Sequence, residues 1–203
     1  NLILKVFSLT ILLSTLMLTI ISPLLIEILA SSKYNSIVNL IFPLTLAIGI
    51  RGVSWITEIG VSLSKKSYLS LISHSAQFFV TITLIYLFSS YFGLISIAMS
   101  VLIGQLTRSI IESYYAQKVY PLKWDYNPVI KMITLTIIFG IISEIIRIFH
   151  GDFYSSIFYF AGILFLLYFG YNFLFSKNEF QKIIKAKSNF ISSLKNNSYS
   201  IKQ

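Results

Sequence analysis

The chain alternates long apolar runs with short polar connections. An apolar run of about 20 residues is long enough to cross the hydrocarbon core of a bilayer as an α-helix. Six such runs extend over Val6 to Leu29, Ile37 to Leu63, Tyr68 to Phe88, Leu94 to Tyr115, Val129 to Ile148 and Phe153 to Phe175. The pattern therefore predicts an all-α integral membrane protein with six transmembrane helices.

The connections between these spans are polar, and none is long enough to hold a folded domain. They cover Ser31–Asn35, Ser64–Ser67, Ser89–Gly93, Gln117–Asn127 and His150–Asp152. Asn1 stands close to the first apolar run, which leaves no room for a charged entry or a cleaved signal peptide. We therefore expect the chain to be a fragment whose upstream part is missing.

The composition supports a membrane location. Of the 203 residues, 56% are apolar and 11% are charged, whereas a soluble chain carries about a quarter charged residues. The mean hydropathy is +0.79. The absence of cysteine excludes a disulfide scaffold, zinc fingers, iron–sulfur sites and cysteine nucleophiles. The net charge of +9 does not indicate a nucleic-acid partner, because no polar segment combines basic residues with stacking aromatic residues.

Lysine and arginine are distributed unequally between the two ends of the spans. One side of the membrane receives Lys5, Lys65, Lys66, Lys118, Lys123, Lys131 and six tail lysines from Lys177 to Lys202, and the other receives Lys33 and Arg147. Because basic connections remain in the cytoplasm, both chain termini are predicted to be cytoplasmic. Residues 176–203 form a basic cytoplasmic tail, whose apolar residues fit either an amphipathic helix at the headgroups or a solvated segment.

Polar side chains at membrane depth are the candidates for function, because each charged group costs about 2.5–3.5 kcal/mol to insert. They are Arg51 and Glu58 in the second span, His74 and Gln77 in the third, Gln105, Arg108 and Glu112 in the fourth, and Glu144 and Arg147 in the fifth.

Arg51 and Arg108 are predicted to lie at the same depth. Each stands about 14 residues into a span that runs from outside to inside, or roughly 21 Å below the outer boundary. Two guanidinium groups at one level indicate a shared anion site. Other interpretations stay open. Arg108 can pair with Glu112 along its own helix or reach the interface. Arg51 is roughly 10 Å from Glu58 along the helix and can instead pair with a group on another helix.

Other polar residues have partners close by in the sequence. Glu144 and Arg147, three residues apart, are expected to form an ion pair. His74 follows Ser70 by four residues and is expected either to hydrogen-bond locally or to titrate near neutral pH. The sequence contains no glycine-rich phosphate loop, no His–carboxylate metal spacing and no serine elbow. We therefore predict no enzymatic activity, no catalytic residue, no metal and no cofactor.

The residues from Leu24 to Asp125 resemble a known family. The resemblance is carried by Ile28-Leu29-Ala30-Ser31-Ser32-Lys33-Tyr34, by Gly49, Gly52 and Gly60, by Leu63-Ser64-Lys65-Lys66-Ser67, by Tyr91-Phe92-Gly93-Leu94-Ile95, and by Ala116-Gln117-Lys118-Val119-Tyr120-Pro121-Leu122-Lys123-Trp124. In these segments the chain is similar to the polysaccharide (O-antigen) flippases of the multidrug/oligosaccharidyl-lipid/polysaccharide exporter superfamily. It departs from the family pattern at Ser96 and Ile97, where a second glycine and small residues are usual.

The resemblance implies that the chain is the C-terminal part of a twelve- to fourteen-span MATE-like transporter. Residues 1–127 would be the last four spans of its second bundle with the following cytoplasmic loop, and residues 128–175 two additional spans. The implied function is translocation of undecaprenyl-diphosphate-linked oligosaccharides to the outer leaflet of the bacterial inner membrane, during O-antigen and lipopolysaccharide biosynthesis. The implied partners are membrane lipids, a polysaccharide polymerase and a chain-length regulator.

Within such a transporter the polar residues at membrane depth take two roles. We expect Arg51, Arg108, Gln105 and Gln77 to bind the anionic diphosphate and the sugars, because arginine suits phosphate. We expect Glu58, Glu112 and His74 to serve ion coupling. Two alternatives remain: a drug or cation antiporter of the same superfamily, which would line its cavity with acids, and a membrane polysaccharide polymerase subunit, which would carry a large external loop.

The predicted orientation can be tested by labelling. Cysteines introduced as Ser67→Cys and Asn127→Cys should be protected from an impermeant thiol reagent in intact cells, whereas Ser90→Cys should be labelled. The reason is that the first two positions belong to the lysine-rich side. Labelling of Ser67→Cys from outside would invert the orientation and contradict the placement in the transporter.

Overall fold

The computed structural model describes residues 1–30, 37–122 and 124–174, and this part of the chain is helical. The helices are α1 Leu2–Ala30, α2 Val38–Thr57, α3 Ile59–Leu63, α4 Ser67–Phe92, α5 Leu94–Val119, α6 Asn127–His150 and α7 Asp152–Phe169, followed by a π-helical turn, Gly170–Leu174. Six helices are long and apolar enough to cross a membrane. The prediction of a multi-pass, all-helical membrane protein is confirmed, whereas Lys33, Lys123 and the tail 176–203 lie outside the described residues.

Two predicted boundaries are wrong in detail. The second span is not one helix to Leu63, because it is interrupted at Glu58, whose carbonyl accepts a short-range bond from the Val61 N–H at 2.9 Å. The connection predicted over Ser89–Gly93 is mostly helical, because α4 continues to Phe92. The chain reverses at Gly93 alone, where φ is +57°, a value that residues with a side chain rarely adopt.

Each helix packs against its neighbour in a row, and α1 connects the two parts of that row. α4 packs against α5, α5 against α2, α2 against α1, and α1 against α6 and α7, which also pack against each other. Leu12 and Leu16 of α1, Leu46 of α2, Met132 of α6 and Tyr159 of α7 are fully buried at the centre of this arrangement. The α6–α7 hairpin is therefore joined to the first four spans through α1.

Side-chain contacts fix the relative directions of the helices. α2 and α5 run parallel, because Ser54 contacts Ser109 and Thr57 contacts Ser113, about the same number of residues further along each helix. The Asp125 N–H donates to the side chain of Asn1 at 2.8 Å. The N-terminus and the α5–α6 connection therefore lie at one end of the molecule, as the predicted topology requires.

Glycines allow helices to approach one another closely. A Cβ on Gly140 of α6 would overlap the Phe42 ring of α2, and that ring packs against Tyr159 with 5.8 Å between ring centroids. A Cβ on Gly60 of α3 would stand 2.8 Å from the Ala116 carbonyl oxygen of α5. Small residues have this role in membrane proteins because there is no hydrophobic driving force between helices in lipid. Close packing must therefore hold the helices together.

We expect Gly140→Ala to destabilise the protein by about 1–3 kcal/mol, because Phe42 is fixed between α2, α6 and Tyr159 and overpacking has a cost of this size. The measurement is the thermal unfolding midpoint in detergent.

Gly52→Ala is the matched control. Its Cβ would meet only the flexible end of Ile11, at 2.7 Å, and alanine gains about 1 kcal/mol of helix propensity. Gly52→Ala should therefore change the midpoint little. Equal midpoints for Gly140→Ala and the unmodified protein would contradict the close packing of Phe42.

Candidate functional site

A stripe of polar side chains lines the contact between α2 and α5. The Ser54 hydroxyl donates to Ser109 Oγ at 2.6 Å, and the Thr57 and Ser113 hydroxyls lie 2.9 Å apart. The Ser54 hydroxyl also bonds to the Ile50 carbonyl oxygen of its own helix, which satisfies polar groups that lipid could not. The stripe gives α2 and α5 a defined register.

The stripe continues toward α4 through two glutamines. Gln77 Nε2 of α4 donates to Gln105 Oε1 of α5 at 3.2 Å, and Gln105 Nε2 donates to Ser109 at 3.3 Å. Gln105 is buried, whereas Gln77 borders an open cavity of about 440 Å³ together with His74. The structure thus brings two of the predicted substrate-binding residues into direct contact, one of them accessible.

A charge cluster joins the end of α2 to α5. Arg108 Nε donates to Glu112 Oε2 at 2.9 Å, and Arg108 Nη2 lies 3.6 Å from Glu58 Oε2. The predicted pairing of Arg108 with Glu112 along α5 is confirmed. Arg108 is 4% exposed, so its side chain is directed into the protein. The sequence did not predict Glu58, the residue between α2 and α3, as the second partner of Arg108.

The cluster reaches α4 through Ser70. The Ser70 hydroxyl donates to Glu112 Oε1 at 3.0 Å. Nδ1 of His74 lies 2.7 Å from the Ser70 carbonyl oxygen, so the predicted local hydrogen bond of His74 is confirmed. Ser70 thus lies between the imidazole and the charge cluster. All three residues predicted to serve ion coupling, Glu58, Glu112 and His74, gather here.

A cavity of about 270 Å³ adjoins the cluster. Its lining consists of Glu58, Val61, Ser62, Ser67, Ser70, Arg108 and Glu112. Two buried polar atoms of this lining, Glu58 Oε2 and Arg108 Nη1, have no hydrogen-bond partner among the described residues. Buried polar groups are nearly always paired, so the cavity offers positions for a proton, a water molecule or a ligand.

Arg51 lies apart from this cluster. It is exposed on α2 and borders an apolar groove of about 270 Å³ between α1 and α2, with Ile48 and Trp55. No carboxylate of the described residues lies within 4 Å of its guanidinium, although its charge acts on Glu58 at longer range. The register of α2 and α5 places Arg51 level with residues 106–107, or about 1.5–3 Å from the level of Arg108. Arg108, however, is occupied by its two carboxylates.

A second charged cluster holds the α6–α7 hairpin. Arg147 Nη1 donates to Glu144 Oε1 at 2.8 Å, which confirms the predicted pair, and Arg147 Nε lies 3.1 Å from Asp152 Oδ1. The Tyr159 hydroxyl donates to Glu144 Oε1 at 2.6 Å. The tight turn between them has φ of +86° at Gly151. Because the charges of Glu144 and Asp152 face Arg147 across the turn, the cluster links α6 to α7, although Arg147 Nε and Nη2 are buried without a hydrogen-bond partner among the described residues.

Sequence reasoning missed Ser109, Asp152 and Tyr159 as members of these networks. Asp152 follows Arg147 by five residues across a glycine turn, which is a readable signal for an ion pair at a hairpin. Ser109 and Tyr159 gave no such signal, because their partners lie on other helices. Among the described residues, no group of three or more His, Cys, Asp or Glu could hold a metal ion.

Comparison of the chain with family models, with curated proteins and with solved structures finds no match.

We expect Arg108→Leu to destabilise the protein by about 3–5 kcal/mol, because it leaves the buried Glu112 carboxyl and the half-buried Glu58 carboxyl without their cation. The folded fraction recovered in detergent should fall, and adding Glu112→Gln should restore part of it.

Arg51→Leu is the matched control, since it also removes a guanidinium from a membrane helix, but an exposed one that has no carboxylate partner in the part of the chain that the structure describes. It should leave the folded fraction nearly unchanged. An Arg108→Leu protein as abundant as the unmodified one would contradict the role of the cluster in stability.

Proposed function

We propose that the chain is the C-terminal part of a transporter that moves undecaprenyl-diphosphate-linked oligosaccharides from the cytoplasmic to the outer leaflet of the bacterial inner membrane. The observation that carries this proposal is the state of Arg51. The chain has three arginines, and two of them, Arg108 and Arg147, are neutralised by carboxylates. Arg51 is exposed in a membrane helix and has no carboxylate partner among the described residues.

The surroundings of Arg51 suit an amphipathic anion. Ile11, Leu18, Ile48 and Trp55 make the neighbouring groove apolar, which fits a hydrocarbon chain, while the guanidinium fits a phosphate through two parallel hydrogen bonds. An unpaired cation at this depth is costly. A diphosphate lipid would supply both the counter-charge and the chain to fill the groove.

The polar face of α4 supports the sugar part of the proposal. Gln77 and His74 border the open cavity of about 440 Å³, together with Thr81, and amide and hydroxyl groups of this kind bind sugar hydroxyls. A polysaccharide polymerase and a chain-length regulator are the partners we propose, because they use the product of such a translocation step.

One observation favours a second candidate, a drug or cation antiporter. The Glu58–Arg108–Glu112 cluster carries two carboxylates for one guanidinium, and a buried excess of acid attracts cations. The two candidates differ in what they require of Arg51. An antiporter for cations gains nothing from an exposed guanidinium, whereas a diphosphate carrier depends on it.

We expect Arg51→Gln in the complete protein to lower surface-glycan export per molecule about tenfold, because a hydrogen bond to a charged group contributes about 1.5–3 kcal/mol. Arg51→Lys should restore only part of the export, since a point charge replaces a bidentate group. Export is measured from the amount of surface polysaccharide, normalised to the protein in the membrane.

Lys131→Gln provides the control, because Lys131 is also an exposed cation but stands at the start of α6. It should leave export unchanged. Normal export per molecule in Arg51→Gln would remove Arg51 from the substrate path. Normal export in Arg51→Gln together with loss of resistance to a cationic drug in Glu58→Gln would support the antiporter instead.

A further inference from the structure

The charge balance of the cluster at the end of α2 is uneven. Glu58 and Glu112 face a single cation, Arg108. Arg108 is 4% exposed, Glu112 3% and the Glu58 side chain 19%, so little solvent is available to stabilise an excess charge. If both carboxyls were ionised, the cluster would carry one uncompensated negative charge in a buried position, which is unfavourable. One bound cation would neutralise it.

The geometry of the two carboxyls favours a proton as that cation. The Glu58 and Glu112 carboxyls flank the same guanidinium, with Glu58 Oε2 3.6 Å from Arg108 Nη2 and Glu112 Oε2 2.9 Å from Arg108 Nε, and both line the same cavity. Two carboxyls that face one cation in one cavity favour holding a proton, because the second negative charge has no counter-charge of its own. A protonated Glu58 would also provide a role for Oε2, which has no hydrogen-bond partner among the described residues.

A sodium ion fits the same cavity less well. Arg108 already occupies the position between the carboxyls, with Nε 2.9 Å from Glu112 and Nη2 3.6 Å from Glu58. A metal ion bound to both glutamates would lie beside this guanidinium, and the two cations would repel each other. A proton avoids the conflict, because it sits on a carboxyl oxygen and leaves the bonds of Arg108 in place.

We propose that Glu58 and Glu112 together hold one exchangeable proton in the cavity between α2, α4 and α5. The proton reaches the pair through the part of the cavity lined by Ser62 and Ser67, which are exposed and flank the turn that contains Lys65 and Lys66. This site does not depend on the substrate proposed above, because it is defined by residues that stand apart from Arg51.

The other charged groups around the pair are few. Arg51 of α2 acts on Glu58 without forming an ion pair. His74 of α4 hydrogen-bonds to Ser70, whose hydroxyl donates to Glu112. Lys65 and Lys66 are exposed at the turn. Glu58 is also the single residue between α2 and α3, so the proton is held at the joint of these helices.

Infrared difference spectroscopy tests the proposal directly. The full chain carrying 13C-labelled glutamate is placed in bilayers without substrate, and the glutamic-acid C=O band is followed as the pH rises. Only the range above about pH 5.5 is used, because an exposed glutamate with its ordinary pKa of about 4.3 is ionised there. The unmodified protein should lose one acid band in this range.

Variants identify the site of the proton. Glu58→Gln and Glu112→Gln should each abolish the band completely, because the remaining carboxyl then pairs one to one with Arg108 and stays ionised. Glu144→Gln is the matched control, since Glu144 is the other glutamate paired with an arginine inside the bundle. It should leave the band unchanged.

Four results would overturn the proposal. They are the absence of any acid band from the unmodified protein, survival of the band in both variants, its loss in only one of them, and its loss on adding sodium at constant pH, which would indicate a sodium site. The first and last use the unmodified protein, so they hold even if a variant fails to fold. Normal glycan export in Arg51→Gln would contradict the function proposed above. The spectroscopic result on Glu58 and Glu112 would still stand.

Discussion

A guanidinium enclosed by two carboxylates is the interaction on which one half of the structure depends. Arg108 is buried in a helix that crosses the membrane, where an unpaired charge is expensive. Its partners come from the end of α2 and from its own helix, and Ser70 extends the cluster to α4. The buried charge of Arg108 requires counter-charges, and the contacts that supply them hold three helices in register.

The stripe of polar side chains between α2 and α5 and the glycines add to the packing that the charge cluster provides. Ser54, Thr57 and their partners on α5 fix the parallel packing of α2 and α5, and Gly60 lets the short α3 approach the α5 backbone at Ala116. Close packing and satisfied polar groups are the forces available to helices in lipid, because apolar surface gains nothing from leaving one apolar medium for another.

The three arginines differ in their partners and in their roles. Arg147 is bound to Glu144 and Asp152 and closes the α6–α7 hairpin, while Arg108 holds α2, α4 and α5 together. Arg51 has no such structural partner among the described residues and faces an apolar groove. The same residue type thus supports the fold at two positions, and at the third it is the group that we propose binds an anionic ligand.

The sequence by itself determined the six spans, because length and hydropathy are local properties of the chain. It also determined the pairs within one helix, Arg108 with Glu112 and Arg147 with Glu144, since their spacing is set by the helix repeat. Tertiary structure alone decided that Glu58 turns to Arg108 at a break in the second span and that Arg51 stays exposed. Those outcomes depend on which helix packs beside which, and at what register, and such contacts between distant residues leave no trace in local periodicity.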